Sequence, residues 1–106
     1  MNTRILLIDM PRLMREIVET AVRRRPDLIV AGALAHEVGR DAEPIDTSGA
    51  DVVVLNLGSA EVLLRLLEQR PAKPLVLIGR DGGAMFRCEP LGELSPLGLL
   101  DMLAVP

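Results

Sequence analysis

The sequence has 106 residues, with 12 basic and 15 acidic side chains and a formal net charge of −3, and the two signs are interspersed, which argues against a polyanion-binding face. With one Phe, no Tyr and no Trp, the aromatic platforms that stack single-stranded nucleic acid are missing, and with one Cys and one His neither an internal disulfide nor a zinc centre can be built. The 49% hydrophobic content is well above that of disordered chains, and the length suits one domain, residues 1–106, that buries roughly 65% of its unfolded surface.

Met1-Asn2-Thr3-Arg4 leads straight into a short apolar run. No span of about 20 apolar residues and no secretory h-region is present, so no membrane association is expected. The single cysteine fits a reducing, cytoplasmic setting. Arg4–Asp9, RILLID, is nearly continuous in apolar residues, as a parallel strand buried on both faces should be. Leu13, Met14, Ile17, Val18, Ala21 and Val22 then recur at helical spacing and predict a buried stripe. Pro11 suits the first turn of that helix, and Pro26 stops it. Arg23-Arg24-Arg25 closes the helix where cations suit its dipole. A second strand is predicted at Asp27–Ala33, giving a strand–helix–strand unit.

From Leu34 to Gly49 the pattern weakens. At most a turn or two of helix is expected at Ala35–Gly39, followed by an irregular loop. Asp51–Leu57, DVVVLNL, is a strong strand. Ser59 is a candidate N-cap for a helix over Ala60–Gln69 that buries Val62, Leu63, Leu66 and Leu67. Pro74–Gly79, PLVLIG, is a fourth strand. Four residues, Arg80-Asp81-Gly82-Gly83, separate it from Ala84–Glu89. A parallel return needs about a dozen residues, so Asp81-Gly82 is expected to form a type I′ hairpin turn and the fifth strand to run antiparallel at the sheet edge. Ser95-Pro96 is an N-cap and N1 pair opening a last helix to Leu103.

Strands alternating with helices predict a doubly wound α/β domain. The segments RILLIDMPRLMREIVETAVRRRPDLIVAGA, ADVVVLNL and KPLVLIG resemble the first, third and fourth strand regions of bacterial response-regulator receiver domains. The resemblance covers about three-quarters of the chain and implies a single flavodoxin-like doubly wound sheet; the four-residue link makes it mostly parallel, with an antiparallel edge hairpin in place of the family's fourth helix. Working receivers use a pair of acidic residues, a phosphoacceptor Asp, a hydroxyl and a Lys around a divalent cation. Here Asp9 matches the first acidic position, but Met10 takes the second. Asn56 stands at the phosphoacceptor, Gly79 at the hydroxyl, and Glu89-Pro90 where the family has Lys-Pro. An amide is neither a usable nucleophile nor a good ligand for a hard cation.

The resemblance with its chemistry removed implies a degenerate, truncated receiver. Asp9, Met10, Asn56 and Gly79 then form a vestigial pocket, and no catalytic residue, metal or cofactor is expected. Asp9 is expected to cap the first helix or bond a nearby loop, and Asn56 to satisfy backbone groups at a strand end. His36 has no partner that would make it a base, and Cys88 reads as a small buried hydrophobe sharing a strand face with Ala84 and Phe86. Leu97–Leu103 suits either closure of the domain's own core or a partner-binding helix. The expected function is signal transduction by protein–protein contact or homodimerisation through Met85, Leu97, Leu100 and Leu103, with Arg87 at the rim. The alternative is a small-molecule or anion sensor at the carboxyl ends of the strands, lined by Asp9, Met10, Asn56, Gly58, Ser59 and Gly79.

Overall fold

The computed structural model describes residues 2–34, 45–58, 60–69 and 71–104. Among these, the chain runs β1 (Thr3–Ile8), α1 (Arg12–Val22), β2 (Leu28–Leu34), β3 (Val52–Asn56), α2 (Ala60–Glu68), β4 (Leu75–Ile78), β5 (Met85–Cys88) and α3 (Pro96–Leu103). The strands form one sheet in the order β2-β1-β3-β4-β5. β1 to β4 are mutually parallel, and β5 pairs antiparallel with β4. The chain is therefore an α/β domain with a mostly parallel sheet, and the expected edge hairpin is present.

Strand alternation divides the core into two layers. Ile5, Leu7, Val54 and Ile78 face α1, which covers them with Met14, Val18 and Val22. Leu6, Ile8, Val53, Leu55, Leu75 and Leu77 face α2, which covers them with Val62 and Leu66. Both faces of β1 and β3 are thus dry, which is why these strands read as unbroken apolar runs.

The contact stripe on α1 is narrower than its apolar spacing suggests. Leu13, Ile17 and Ala21 are exposed. They sit about 100° behind Met14, Val18 and Val22 around the helix. Only a neighbouring helix could cover that flank, and α3 does not pack there. On α2, likewise, Leu67 stays half-exposed beside the buried Leu66.

The segment before β3 is held by side chains. Gln69 Nε2 donates to the Ile45 carbonyl at 2.9 Å while its Oε1 accepts from the Ile45 N–H at 2.7 Å. Lys73 Nζ donates to the carbonyls of Thr47 and Ala50. The Arg4 N–H donates to Asp51 Oδ2 at 2.8 Å. The expected helical turns at Ala35–Gly39, His36 and the Ser59 cap lie outside the described residues.

The β4–β5 link is tight but is not the expected type I′ turn. The Gly82 N–H donates to the Gly79 carbonyl at 2.8 Å, and the Gly79 N–H to the Ala84 carbonyl at 2.8 Å. Arg80 and Asp81 occupy the central positions, and Asp81 does not adopt positive φ. Gly82, just after them, takes φ 77°. Asp81 Oδ1 accepts from the Gly83 N–H at 2.8 Å and braces the corner. Four loop residues allow the reversal with one left-handed position rather than two. A Cβ on Gly82 would meet Met14 Cε at 3.5 Å, an ordinary contact, so the cost of substitution there is conformational. Gly82→Val is expected to lose about 1–2 kcal/mol, the penalty of a β-branched residue at positive φ, and Gly82→Asn distinctly less. Urea denaturation of the three proteins measures this; equal losses for Val and Asn would refute it.

At the end of the chain, Ser95 caps α3 by accepting from the Gly98 N–H at 3.0 Å, with Pro96 at the first helical position. Every residue of α3 is exposed. The helix does not close the domain's own core.

Candidate functional site

The topology gathers the chemistry-bearing positions at the carboxyl ends of the strands. β1 and β3 are neighbours, Ile8 pairs with Leu55, and Asn56 pairs with Ile78. Asp9, Asn56 and Gly79 therefore end three adjacent strands. The chain leaves β1 toward β2 on one side and β3 toward β4 on the other. This reversal of strand order is where open parallel sheets bind ligands.

Asp9 does not cap α1. That position is held by Pro11, which makes no side-chain cap bond. Asp9 instead adopts φ 53° while its N–H donates to the Leu34 carbonyl at 2.8 Å. Aspartate tolerates this left-handed geometry better than most residues, at a cost of order 1 kcal/mol. It turns the chain sharply out of β1 and leaves Pro11, whose fixed φ suits a helix start, to lead into α1.

Asn56 is 3% exposed and lies on the α1 face of β3, in step with Val54. Its Nδ2 is buried without a hydrogen-bond partner, so the expected satisfaction of backbone groups does not extend to this donor. An orphaned donor of this kind costs about 1–3 kcal/mol. A Cβ on Gly58 would lie 3.2 Å from Asn56 Oδ1, so the turn after β3 closes tightly over the amide.

At Gly79 the hairpin itself acts on the site. Because β5 returns directly, a Cβ at Gly79 would lie 3.3 Å from the Ala84 carbonyl oxygen. A serine or threonine there would need the hairpin to shift. The same antiparallel return carries Glu89 to the amino end of β4, beside the Leu75–Cys88 pair. Glu89 is thus at the far end of the sheet from Asp9, Asn56 and Gly79, and its matching to the family's Lys position fails.

A pocket of about 310 Å³ opens between β1, β2 and the start of α1, lined by Leu7, Asp9, Met10, Pro11, Arg15, Ala33 and Leu34. Its lining takes in Asp9 and Met10, but not Asn56 and Gly79. Arg15 was not foreseen there. In the sequence it reads as part of the solvated face of α1. The sharp exit from β1 swings the first helical turn over the pocket, and Arg15 stands 3.9 Å from Glu19 across an exposed i,i+4 pair. Among the described residues, no group of three or more His, Cys, Asp or Glu is placed to hold a metal ion. No helix among them is long and apolar enough to cross a membrane.

The expected interaction residues are all exposed. Met85 is 74% exposed, and Leu97, Leu100 and Leu103 lie open along α3. Phe86 was expected to share a core face with Ala84 and Cys88. Its register opposite Leu77 does place it on the α2 face, yet it remains 55% exposed because no helix reaches that far across the sheet. Cys88 is partly buried against the α2-side core. Arg87 is engaged by Glu89 at 2.7 Å. Comparison with family models, with curated proteins and with solved structures returned no match.

Proposed function

We propose that this chain is a flavodoxin-like, receiver-type module without phosphoacceptor chemistry, that it signals by protein contact, and that the contact is self-association through β5 and α3. The strand order β2-β1-β3-β4-β5 supports the flavodoxin-like reading. The observation that carries the functional reading is the apolar surface left open at one end of the chain. β5 is an uncovered edge strand, and α3 exposes Leu97, Leu99, Leu100, Met102 and Leu103. Edges and patches of this kind are rarely left unmanaged in monomers. A two-fold pair covers both copies with one surface. Arg87, held by Glu89, sits at the rim, where charge governs register more than affinity.

Sedimentation velocity at micromolar concentration tests this. The wild type is expected to dimerise, and Met85→Glu and Leu100→Glu to shift it toward monomer while keeping the wild-type circular-dichroism spectrum, since both side chains are exposed. A wild type that stays monomeric would remove self-association and leave contact with a different protein.

A second reading, a small-molecule or anion sensor, is favoured by Arg15 and Asp9 in the lining of the 310 Å³ pocket. A pocket of that volume is at the small end of ligand sites. It predicts that phosphate, carboxylates or nucleotides raise the melting temperature and that Arg15→Ala abolishes the rise. No shift with any of these would discard it.

A further inference from the structure

At the amino end of the parallel strands, opposite the vestigial site, a cleft of about 880 Å³ runs between the end of α2 and the segment after β5. Its apolar walls include Leu67, Leu75, Cys88, Pro90, Leu91 and Leu94. The segment that forms one wall also carries α3. Leu94 lines the cleft, Ser95 follows, and Pro96 opens the helix. Yet no residue of α3 lines the cleft, and the whole helix is exposed.

The helix is poorly suited to that exposure. At 100° per residue, Met102, Leu99, Leu103, Leu100 and Leu97 sweep an arc of about 220°, leaving only Gly98 and Asp101 on the remaining side. A helix resting on one surface needs an apolar stripe of only about 100°. Helices as short as these eight residues are also marginal in water without a docking surface. The helix therefore calls for burial on more than one side, and the chain carries an open apolar cleft beside its root.

We propose that the two features serve each other between copies, with α3 of each protomer lying in the cleft of a second copy in a reciprocal, two-fold exchange. This rests on the self-association reading and names its receiving surface. Both halves of the contact are in one chain, so a two-fold exchange covers both at once and leaves neither open, as in domain-swapped dimers. The area is sufficient. Five exposed apolar side chains on α3 bring roughly 300–600 Å². Each copy buries its own helix and, over a similar area, its own cleft, so the total reaches roughly 1,200–2,400 Å², the range of stable interfaces.

The test uses two variants at exposed positions, Ala72→Arg to block the cleft and Leu100→Glu to spoil the helix, each first checked for a wild-type circular-dichroism spectrum. Each alone is expected to weaken dimerisation about 100-fold or more, as a charge forced into a desolvated contact does. Mixed in equal amounts, they are expected to regain a heterodimer detectable by native mass spectrometry, because the intact helix of the Ala72→Arg chain can enter the intact cleft of the Leu100→Glu chain. Wild-type dimerisation by Ala72→Arg would overturn the exchange while leaving self-association standing. Loss in both variants with no heterodimer on mixing would likewise overturn it. A monomeric wild type would overturn both readings.

Discussion

Asn56→Asp is expected to destabilise the domain by roughly 3–5 kcal/mol at pH 7, and by little below about pH 4. The substitution is nearly isosteric and removes the orphaned Nδ2 donor. What it adds is a carboxylate at a position 3% exposed, on the face shared by Val54 and Ile78 and covered by α1. Desolvation raises the pKa of such a group in the folded state above its unfolded value near 4. Below the unfolded value both states hold the proton and no penalty exists. As pH rises from there, the unfolded chain ionises first and stability falls. The loss is complete once pH passes the raised folded value, and it stays constant above that. Urea denaturation of wild type and variant between pH 4 and pH 8 measures the difference directly. A difference that does not change with pH would show that the carboxylate finds solvent or a cation. The same variant is expected to remain free of acid-labile phosphate after incubation with acetyl phosphate and Mg²⁺. On the receiver-type reading proposed above, Met10 still stands where a metal-binding carboxylate would be needed, and a side chain at Gly79 would still press on the Ala84 carbonyl.

The strands were legible to within a residue or so because parallel strands buried on both faces have no polar alternation to obscure them. RILLID and DVVVLNL are such runs. The hairpin was legible by chain length alone, since the four residues Arg80–Gly83 cannot carry a parallel crossover. Its turn type was not. The Asp-Gly signature predicts positive φ at both Asp81 and Gly82; Gly82 adopts it, but the Gly82–Gly79 hydrogen bond centres the turn on Arg80 and Asp81, and Asp81 does not. Helical faces were legible only in part. Leu13 and Ile17 fit the apolar spacing of α1 as well as Met14 and Val18 do, and which pair meets the sheet depends on how Asp9 and Pro11 aim the helix. Arg15 was missed for the same reason. The open state of α3 is a property of tertiary packing. Its sequence carried a weaker trace of it: an apolar arc too wide for a helix that closes one core.

The rotation of α1 and the weight of the central strand are checked by a pair of identical truncations. Leu55→Ala is expected to lose about 2–5 kcal/mol, and Leu13→Ala no more than about 0.5 kcal/mol. Leu55 is 0% exposed, paired with Ile8 on one side and Leu77 on the other, and it shares the α2-side core with Val62 and Leu66. Strands on both flanks hold the backbone in place, so the structure cannot collapse onto the missing side chain and a cavity remains. A domain of this size has about 5–15 kcal/mol of stability in all, so the melting temperature should fall by roughly 10–20 °C. Leu13 is 70% exposed on the flank of α1 that α3 leaves uncovered, and alanine is the better helix former there. If Leu13→Ala proved as costly as Leu55→Ala, α1 would have to sit rotated by about one residue, 100°, from the position described. Arg12 and Glu16, now exposed, would then turn with it, and Arg15 would leave the mouth of the pocket. The comparison therefore decides the orientation of the one helix on which the sensor reading depends.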